Sequence, residues 1–292
     1  MNTIFNPHTP TNTDFGLNNT LDFIISRAFE AKPGILSDEE ITQLCVLPEA
    51  VFDEPGYNTA MREFTKRNPG LNVYPMPASA KAEIEAEQMR QREVFTIPVT
   101  DAHRAEFKPM IENFVDKQVK VEGEAKKISF GLSSFGYDVR LSSEGDNPFV
   151  IFTNHRSALI DPKRADAEKS TIPLEVFKDE DGAKYVIMPA HTYGMGYTTE
   201  VFNIPRDVSV VCVGKSTYAR SAVFVNVTPI EAGFSGTVVI ELGNGTGSPV
   251  KIYLDEGIAQ FIFHRGNRNC NTSYADRGGK YMDQRGITHS KV

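Results

Sequence analysis

The chain has 292 residues, of which 40% are hydrophobic and 24% charged, and these values predict a globular protein with a sizeable core. Its net charge of −7 at pH 7 disfavours binding to nucleic acid, because an acidic surface repels the phosphate backbone. Three cysteines without a CxxC spacing, no recognisable signal peptide and no long apolar stretch together predict a cytoplasmic protein that does not enter the membrane.

The N-terminal segment is predicted to be an extension of the main domain. Residues 1–34 are rich in Asn, Thr and Pro and predict a loose arm, with helical periodicity confined to 21–29. Ser37 and Glu40 have the three-residue spacing of a capping box, in which each residue bonds the backbone amide of the other. A helix is therefore predicted to start at Ser37, within an N-terminal helical segment that we place at 35–45.

Residues 46–106 differ in composition from the rest of the chain. Prolines punctuate the first part of this segment, and a charged run of good helix formers follows at 78–93 with few apolar positions. We interpret 46–106 as an insertion into the fold, and its residues indicate no function.

Short β-type runs fill residues 107–270. Val, Ile and Phe dominate each run, and Gly, Pro, Asp and Asn separate them. The clearest runs are 149–152, 185–188, 208–213, 223–227, 237–242, 252–254 and 258–263. Strands this short and this evenly spaced predict a mainly β domain, either a barrel or a jelly roll. Residues 271–292 are polar, contain glycines and predict a flexible tail.

The polar turn at 214–220 is the first candidate for chemistry. It reads Gly-Lys-Ser-Thr-Tyr-Ala-Arg and follows an apolar strand. Two hydroxyls, the ammonium of Lys215 and the guanidinium of Arg220 offer several donors around one point, which suits a phosphate group. A solvated hairpin turn explains the same composition about as well.

Glu241 is the second candidate, because it interrupts an apolar strand. Side chains alternate along a strand, so Glu241 shares a face with Thr237 and Val239. A carboxylate inside an apolar strand is unfavourable unless it is paired or used in chemistry. The simpler alternative is an edge strand on which Glu241 points to water, and spacing alone favours that alternative.

The segment 274–286 is the third candidate. Its composition is typical of a disordered tail, but Tyr274, Lys280 and Gln284 could also fold over a nucleotide, with glycines permitting closure. The His-x-Glu and Pro-Cys-x-x-Cys patterns of zinc deaminases are absent, so no zinc site and no metal ligand from protein side chains is predicted.

Together these segments resemble the dCTP deaminase family within the trimeric dUTPase-like fold. The turn 215–220 resembles the family's phosphate and catalytic loop, and 226–241 resembles its catalytic strand. Further similar segments are 35–38, 128–140, 257–260 and 274–284. The resemblance covers 108–292 and 35–45, whereas 1–34 and 46–106 have no family counterpart. It implies a distorted β-barrel or jelly roll, and a homotrimer whose sites lie between subunits and are closed by the tail.

The resemblance also implies a reaction, the hydrolytic deamination of dCTP to dUTP and ammonia. Glu241 would be the general base, and Ser216 and Arg220 would orient the reacting groups and stabilise charge. The substrate-binding residues implied are Lys215, Ser216, Thr217, Arg220, Thr228, Glu241, Gln260, Tyr274, Lys280 and Gln284. Mg²⁺ would arrive with the triphosphate instead of binding in a protein cage.

Two other functions remain open from the sequence. One is a dUTP diphosphatase, or a bifunctional enzyme that produces dUMP. Glu231 lies where relatives often carry an Asp, which disfavours this function, and Glu241 favours deamination. The other is a non-catalytic nucleotide-binding protein, for which 46–106 would leave room for a partner surface.

Overall fold

A computed structural model describes most of the chain between residues 33 and 291. The described residues are 33–52, 59, 62–63, 66–67, 86, 89–90, 96–152, 160–164, 170–226 and 228–291. The arm predicted over 1–34 lies almost entirely outside them, as do the helices predicted over 21–29 and 78–93. The chain divides into a first unit, Met1–Ala31 with Leu47–Phe107, and a second unit, Lys32–Val46 with Lys108–Val292.

Strands dominate the described secondary structure. The helices are α1 (Asp38–Cys45), α2 (Asp101–Glu106) and α3 (Ser216–Ala219). The strands are β1 (Gly34–Ile35), β2 (Ala50–Phe52), β3 (Thr96–Pro98), β4 (Ile111–Glu112), β5 (Val119–Glu122), β6 (Ala125–Ser133), β7 (Gly136–Arg140), β8 (Phe149–Phe152), β9 (Thr171–Pro173), β10 (Phe177–Lys178), β11 (Lys184–Met188), β12 (Tyr193–Tyr197), β13 (Val201–Asn203), β14 (Val208–Gly214), β15 (Val223–Val225), β16 (Pro229–Ile230), β17 (Ser235–Gly236), β18 (Val239–Asn244), β19 (Val250–Tyr253) and β20 (Gly257–Arg265). None of the described helices is long and apolar enough to cross a membrane.

The first unit contains the antiparallel strand pair β2–β3 and the short helix α2 among its described elements. β2 pairs antiparallel with β3, and the amide of Val99 continues the ladder with a bond to the carbonyl of Glu49. α2 begins after Thr100, whose hydroxyl accepts from the amide of His103, while His103 Nδ1 accepts from the amide of Thr100. This reciprocal cap satisfies two backbone donors that the first turn of a helix leaves free.

The second unit is built from antiparallel sheets that stay open. A seven-stranded sheet has the order β16-β14-β20-β7-β6-β5, with β1 also paired to β20. A five-stranded sheet has the order β15-β18-β12-β8-β9, and two three-stranded sheets are β10-β11-β19 and β17-β13-β4. The prediction of a mainly β fold is confirmed, and each of the seven β-type runs contains a strand with only its ends shifted. Large apolar side chains fill the core, and the rings of Phe202 and Phe261 lie 5.0 Å apart.

The predicted capping box at the start of α1 is confirmed. Ser37 Oγ accepts from the amide of Glu40, and Glu40 Oε2 accepts from the amide of Ser37 at 2.9 Å. The helix begins at Asp38, directly after its cap Ser37, so the predicted start is confirmed. Gly34 and Ile35, before the cap, pair with β20 as strand β1, which holds them in an extended conformation.

The polar C-terminal segment is held in place, which differs from the flexible tail that its composition predicts. Asp276 forms an ion pair with Arg206 at 2.6 Å and accepts from the amide of Ser273. The amide of Tyr274 donates to the carbonyl of Ala232 at 2.9 Å. The contacts with Arg206 and Ala232 join residues that are distant in sequence, so a search for local periodicity could not find them.

A buried ion pair links β7 to the loop before β13. Glu200 is fully buried, and its Oε1 lies 2.7 Å from Arg140 Nε. Its Oε2 accepts from the amide of Arg140 at 3.1 Å. Burial raises the pKa of Glu200, and the charge and hydrogen bonds of Arg140 act in the opposite direction. Arg140 is therefore the group that makes a charged Glu200 tolerable in the core.

Replacing Arg140 is expected to destabilise the second unit strongly. Arg140→Leu leaves the Glu200 carboxylate buried without its cation, so the free energy of unfolding should fall by about 3–5 kcal/mol. Removing Arg140 raises the pKa of folded Glu200 further above its unfolded value. The deficit should therefore be largest at neutral pH and shrink as the pH falls toward about 4, below which both states are protonated.

Chemical denaturation at pH 7 and pH 4 measures this difference. The matched control is Lys184→Ala, which breaks the exposed ion pair with Asp255, whose side chain is 42% exposed. Such a pair contributes about 0–1 kcal/mol. Equal losses in the two variants would contradict the role assigned to Arg140.

Candidate active site

A cavity of about 950 Å³ in the second unit is the candidate site, and we call it the Glu241 cavity. Its walls come from β18, from β12, from the loop that contains Thr228 and from the C-terminal segment. A volume of this size suits a nucleotide-sized ligand, because ligand pockets commonly enclose about 300–1,000 Å³.

Glu241 reaches the cavity from an interior strand. β18 lies between β15 and β12, and Glu241 is the partner of Met195 in the ladder with β12. Val239 and Glu241 line the cavity, whereas Ile240 and Leu242 between and after them are buried in the core. The predicted alternation is confirmed, and the alternative of an edge strand facing water is wrong.

The Glu241 carboxylate is only partly solvated and has no cation beside it. Burial raises the pKa of Glu241, and a hydrogen bond from its own backbone amide lowers it by less. None of the ion pairs among the described residues includes Glu241. Burial, and to a smaller degree the charge of Glu241, raises the pKa of Tyr193, which lines the same cavity. A raised pKa suits a carboxylate that must take up a proton and give it back.

The strand beside Glu241 brings Thr228 to the cavity. The amide of Asn226 donates to the carbonyl of Glu241 at 3.0 Å, directly after the pairing of β15 with β18. Asn226 and Thr228 both line the cavity. Thr228 therefore lies in the wall that contains Glu241, as a substrate-binding role would require.

The C-terminal segment supplies Tyr274 and Gln284 to the cavity wall. Gln284 Nε2 donates to the carbonyl of Thr237 at 2.7 Å, and the amide of Thr237 donates to the carbonyl of Gln284 at 3.0 Å. This close approach requires Gly236, whose φ is +137° and where a Cβ would lie 3.0 Å from the Gln284 backbone. Gln284 Oε1 is buried and has no partner among the described residues, so it remains available to a donor on a ligand.

The turn 214–220 lies outside the Glu241 cavity. It forms the short helix α3, so the hairpin-turn alternative is wrong. Lys215 Nζ lies 2.6 Å from Asp138 Oδ2 and 3.1 Å from Ser129 Oγ, and its side chain is only 10% exposed. Within one chain Lys215 therefore anchors the turn and does not face the cavity.

Ser216, Thr217 and Arg220 are exposed on the outer surface of this turn. The buried side chain of Tyr218 anchors the turn to β19, since its hydroxyl accepts a hydrogen bond from the amide of Tyr253 at 2.9 Å. Arg220 has no ion pair among the described residues, and none of the three exposed side chains lines the Glu241 cavity. The structure therefore presents these side chains on a fixed support, free to contact another molecule.

Two further predicted residues also lie away from the cavity wall. Gln260 Nε2 donates to Ser133 Oγ at 3.0 Å, and Lys280 Nζ donates to the carbonyl of Lys291 at 3.1 Å. Within one chain, four of the predicted site residues line the Glu241 cavity, namely Thr228, Glu241, Tyr274 and Gln284. The other six lie outside this cavity, namely Lys215, Ser216, Thr217, Arg220, Gln260 and Lys280.

Several cavity residues were not predicted from the sequence. Tyr193 and Met195 line the cavity because they alternate along β12, which pairs with β18. The alternation of Tyr193–Tyr197 was a visible signal, but only the strand register shows which strand lies beside Glu241. Arg164 and His289 also line the cavity, and no motif marks either residue.

The sequence matches known proteins across the region that forms the cavity. The dCTP deaminase-like family model matches residues 99–266. The dCTP deaminase of Pelagibacter ubique (strain HTCC1062) is 49% identical over 183 residues, which cover 63% of this chain and 91% of that protein. The dCTP deaminase of Rickettsia bellii (strain OSU 85-389) is 49% identical over 179 residues, 61% of this chain and 89% of that protein. A solved 2′-deoxycytidine 5′-triphosphate deaminase from Agrobacterium tumefaciens is 14% identical with a TM-score of 0.33, covering 54% of this chain and 44% of that chain.

Glu241→Gln is expected to stabilise the second unit at neutral pH. The pKa of folded Glu241 is raised by burial, so its charged form is less favourable in the folded state than in the unfolded state. The amide removes that charge and keeps the shape of the side chain. The midpoint of thermal unfolding should rise at pH 7, and the gain should vanish below the pKa of unfolded Glu, at about pH 4.

Glu231→Gln is the control, because Glu231 also lines the cavity but forms an ion pair with Arg277. Replacing Glu231 by Gln should not raise the midpoint of thermal unfolding at neutral pH. A lower midpoint for Glu241→Gln at pH 7 would show that the carboxylate has a stabilising partner and contradict this account.

Proposed function

Because the chain belongs to the dCTP deaminase-like family, we propose that it hydrolyses dCTP to dUTP and ammonia in the cytoplasm, with Glu241 as general base. One observation carries this proposal: an unpaired, partly buried carboxylate lies on an interior strand and faces a nucleotide-sized cavity. The family supplies the substrate, and the geometry supplies the group that can activate water.

The proposed reaction needs one carboxylate to act twice. Glu241 takes a proton from water as the water oxygen bonds to C4 of cytosine. Protons then pass to N3 and to the exocyclic nitrogen, the C4–N bond breaks, and ammonia leaves as the C4 carbonyl forms. The raised pKa of Glu241 supports this double role, since the acid form remains accessible after the first step.

We propose that Ser216 and Arg220 complete the site from a neighbouring subunit of a homotrimer. Both side chains are exposed and lie outside the cavity of their own chain, on a turn anchored by Lys215 and Tyr218. Their donors would orient the attacking water and stabilise the charge that develops on the ring. A closed cyclic assembly gives every cavity the same neighbouring turn.

The remaining implied residues would bind the nucleotide. Thr228, Tyr274 and Gln284 line the cavity already, and the free Oε1 of Gln284 can accept from a donor on the substrate. Lys215 and Thr217 would contribute from the neighbouring turn, Gln260 from strand β20 beside that turn, and Lys280 after the tail adjusts. Mg²⁺ would enter as part of the substrate, bound to its phosphates.

The ion pair between Glu231 and Arg277 favours dUTP as the final product. A diphosphatase needs a carboxylate free to activate water at a phosphate, and the Glu231 carboxylate is already in contact with Arg277. The bifunctional alternative is therefore disfavoured by charge as well as by the residue type at position 231.

Product analysis with dCTP and Mg²⁺ is the direct test of this function. The protein is expected to release one ammonia per dUTP, without pyrophosphate or dUMP. Glu241→Gln should lower kcat by about 10²–10⁴-fold, because the general base is lost, while dCTP binding measured by calorimetry survives.

Three outcomes would contradict parts of this proposal. Release of pyrophosphate with dUMP would show a diphosphatase or a bifunctional enzyme. Tight dCTP binding without ammonia would show a non-catalytic nucleotide-binding protein. A near-normal kcat for Glu241→Gln would remove this residue from the catalytic role.

Mixing two inactive variants is expected to restore activity if the site is shared between subunits. Glu241→Gln lacks the base but keeps the turn, and Arg220→Ala lacks the guanidinium but keeps the base. Each mixed trimer then contains one intact site of three. An equal mixture with random assembly should regain about a quarter of the wild-type ammonia release.

The two variants can be co-expressed with different tags, and trimers carrying both tags can be purified for the assay, in which case about a third of the wild-type ammonia release is expected. A mixture of Ser216→Ala with Arg220→Ala is the matched control, because both residues lie on the same turn and no intact site can form. Activity in the control, or none in the test mixture, would contradict a site completed by the neighbouring turn.

A further inference from the structure

The Glu241 cavity has an unbalanced charge for a nucleotide site. Its wall contains the carboxylates of Asp161, Glu231 and Glu241, of which Glu231 is paired with Arg277. Among the described lining residues, Arg164 is the one side chain with a permanent positive charge. A nucleoside triphosphate carries about four negative charges at neutral pH, so its entry requires cations in the wall.

The guanidinium of Arg164 is free in the structure. Its side chain is exposed, and it has no ion pair or side-chain hydrogen bond among the residues that the structure describes. Its backbone, in contrast, is fixed, since its amide donates to the carbonyl of Asp161 at 3.0 Å. A free planar donor on a held backbone is an arrangement that suits phosphate oxygens.

The turn that contains Arg164 is held against the C-terminal segment. Asp161 Oδ1 accepts from the amide of Lys163 at 2.9 Å, which closes the turn. Ser290 Oγ donates to the carbonyl of Pro162 at 2.6 Å, and both residues line the cavity. The position of Arg164 at the cavity is therefore supported by contacts from two parts of the chain.

His289, Lys215 and Lys280, three other basic residues that the structure describes, do not fill this role. Burial lowers the pKa of His289, which also lines the cavity, so this ring is neutral at pH 7. Lys215 is paired with Asp138, and Lys280 donates to a backbone carbonyl. Arg164 is left as the cation that the cavity's own wall can offer to an anionic ligand.

We propose that Arg164 is a further substrate-binding residue, which contacts the phosphates of the nucleotide from the turn 161–164. This inference rests on the proposed function, because the ligand it requires is a nucleoside triphosphate. Arg164 binds the part of the substrate that does not react, so its loss should weaken binding and leave the chemical step unchanged.

Steady-state ammonia release from dCTP with Mg²⁺ tests this role. Arg164→Ala is expected to raise KM by about ten-fold with kcat within about two-fold of wild type, the size of one lost charge-assisted contact. Lys163→Ala is the matched control, since it removes the same charge from the same turn at a residue that does not line the cavity. Arg164→Lys should recover part of the loss, because the charge returns without the planar fork.

A binding experiment separates this inference from the proposed function. Calorimetry in the Glu241→Gln background compares dCTP with dCMP, with and without Arg164→Ala. Arg164→Ala should lower the affinity for dCTP by about ten-fold and the affinity for dCMP much less. The effect on dCTP affinity should become smaller as the salt concentration is raised. If wild type binds dCTP but releases no ammonia, the proposed function fails while this comparison still decides the role of Arg164.

Two results would overturn the role of Arg164. One is a KM for Arg164→Ala equal to that of Lys163→Ala. The other is an equal loss of affinity for dCTP and dCMP, which would show that the phosphate chain is not what Arg164 contacts. Unchanged thermal unfolding midpoints would establish that any loss is not a folding defect.

Discussion

Glu241 is a carboxylate held in the interior of a sheet without an ion pair among the described residues, and this is the constraint around which the second unit is organised. β18 is bonded on one side to β12 and on the other to β15, so Glu241 cannot withdraw to solvent by moving its strand. A cation of the same chain would relieve the unfavourable burial, but it would also lower the pKa of Glu241 and weaken it as a base. Glu200 shows the contrast, since this more deeply buried carboxylate is paired with Arg140. Among the described residues, Glu200 is therefore paired with a cation, whereas Glu241 has no ion pair.

Glu241 stays only partly solvated because other residues cover the open side of its sheet, and many of these residues belong to the C-terminal segment. The reciprocal bonds between Thr237 and Gln284 attach that segment directly to the start of β18. The ring of Tyr274 lies 6.0 Å from that of Phe234 and continues the core beneath the tail. The same contacts that order the tail therefore help to exclude water from the carboxylate, which links the fold of the tail to the pKa of Glu241.

Local pattern in the sequence predicts the elements but not their neighbours. The strands, the capping box of Ser37 and Glu40, and the face on which Glu241 lies follow from spacing within a few residues. The position of β18 inside its sheet depends on pairing with β12, more than 40 residues earlier, and no local signal encodes that register. Lys215 shows the same limit. Its residue type and its position in the turn predict that it binds phosphate. Within the chain, however, its ammonium forms an ion pair with Asp138, which lies 77 residues away in the sequence.

The pairing of Lys215 explains why one chain presents an incomplete set of groups. With its ammonium held by Asp138 and Ser129, Lys215 fixes the start of α3, and the exposed Ser216 and Arg220 project from a rigid turn. The cavity of the same chain keeps the carboxylates of Asp161, Glu231 and Glu241, with Arg164 as its permanent cation among the described lining residues. In the proposed mechanism, this separation would keep Glu241 from being paired with a cation before the substrate binds. In the proposed assembly the cations of a neighbouring turn and the anionic substrate would meet at the cavity together, so that charge balance is reached when the nucleotide is bound.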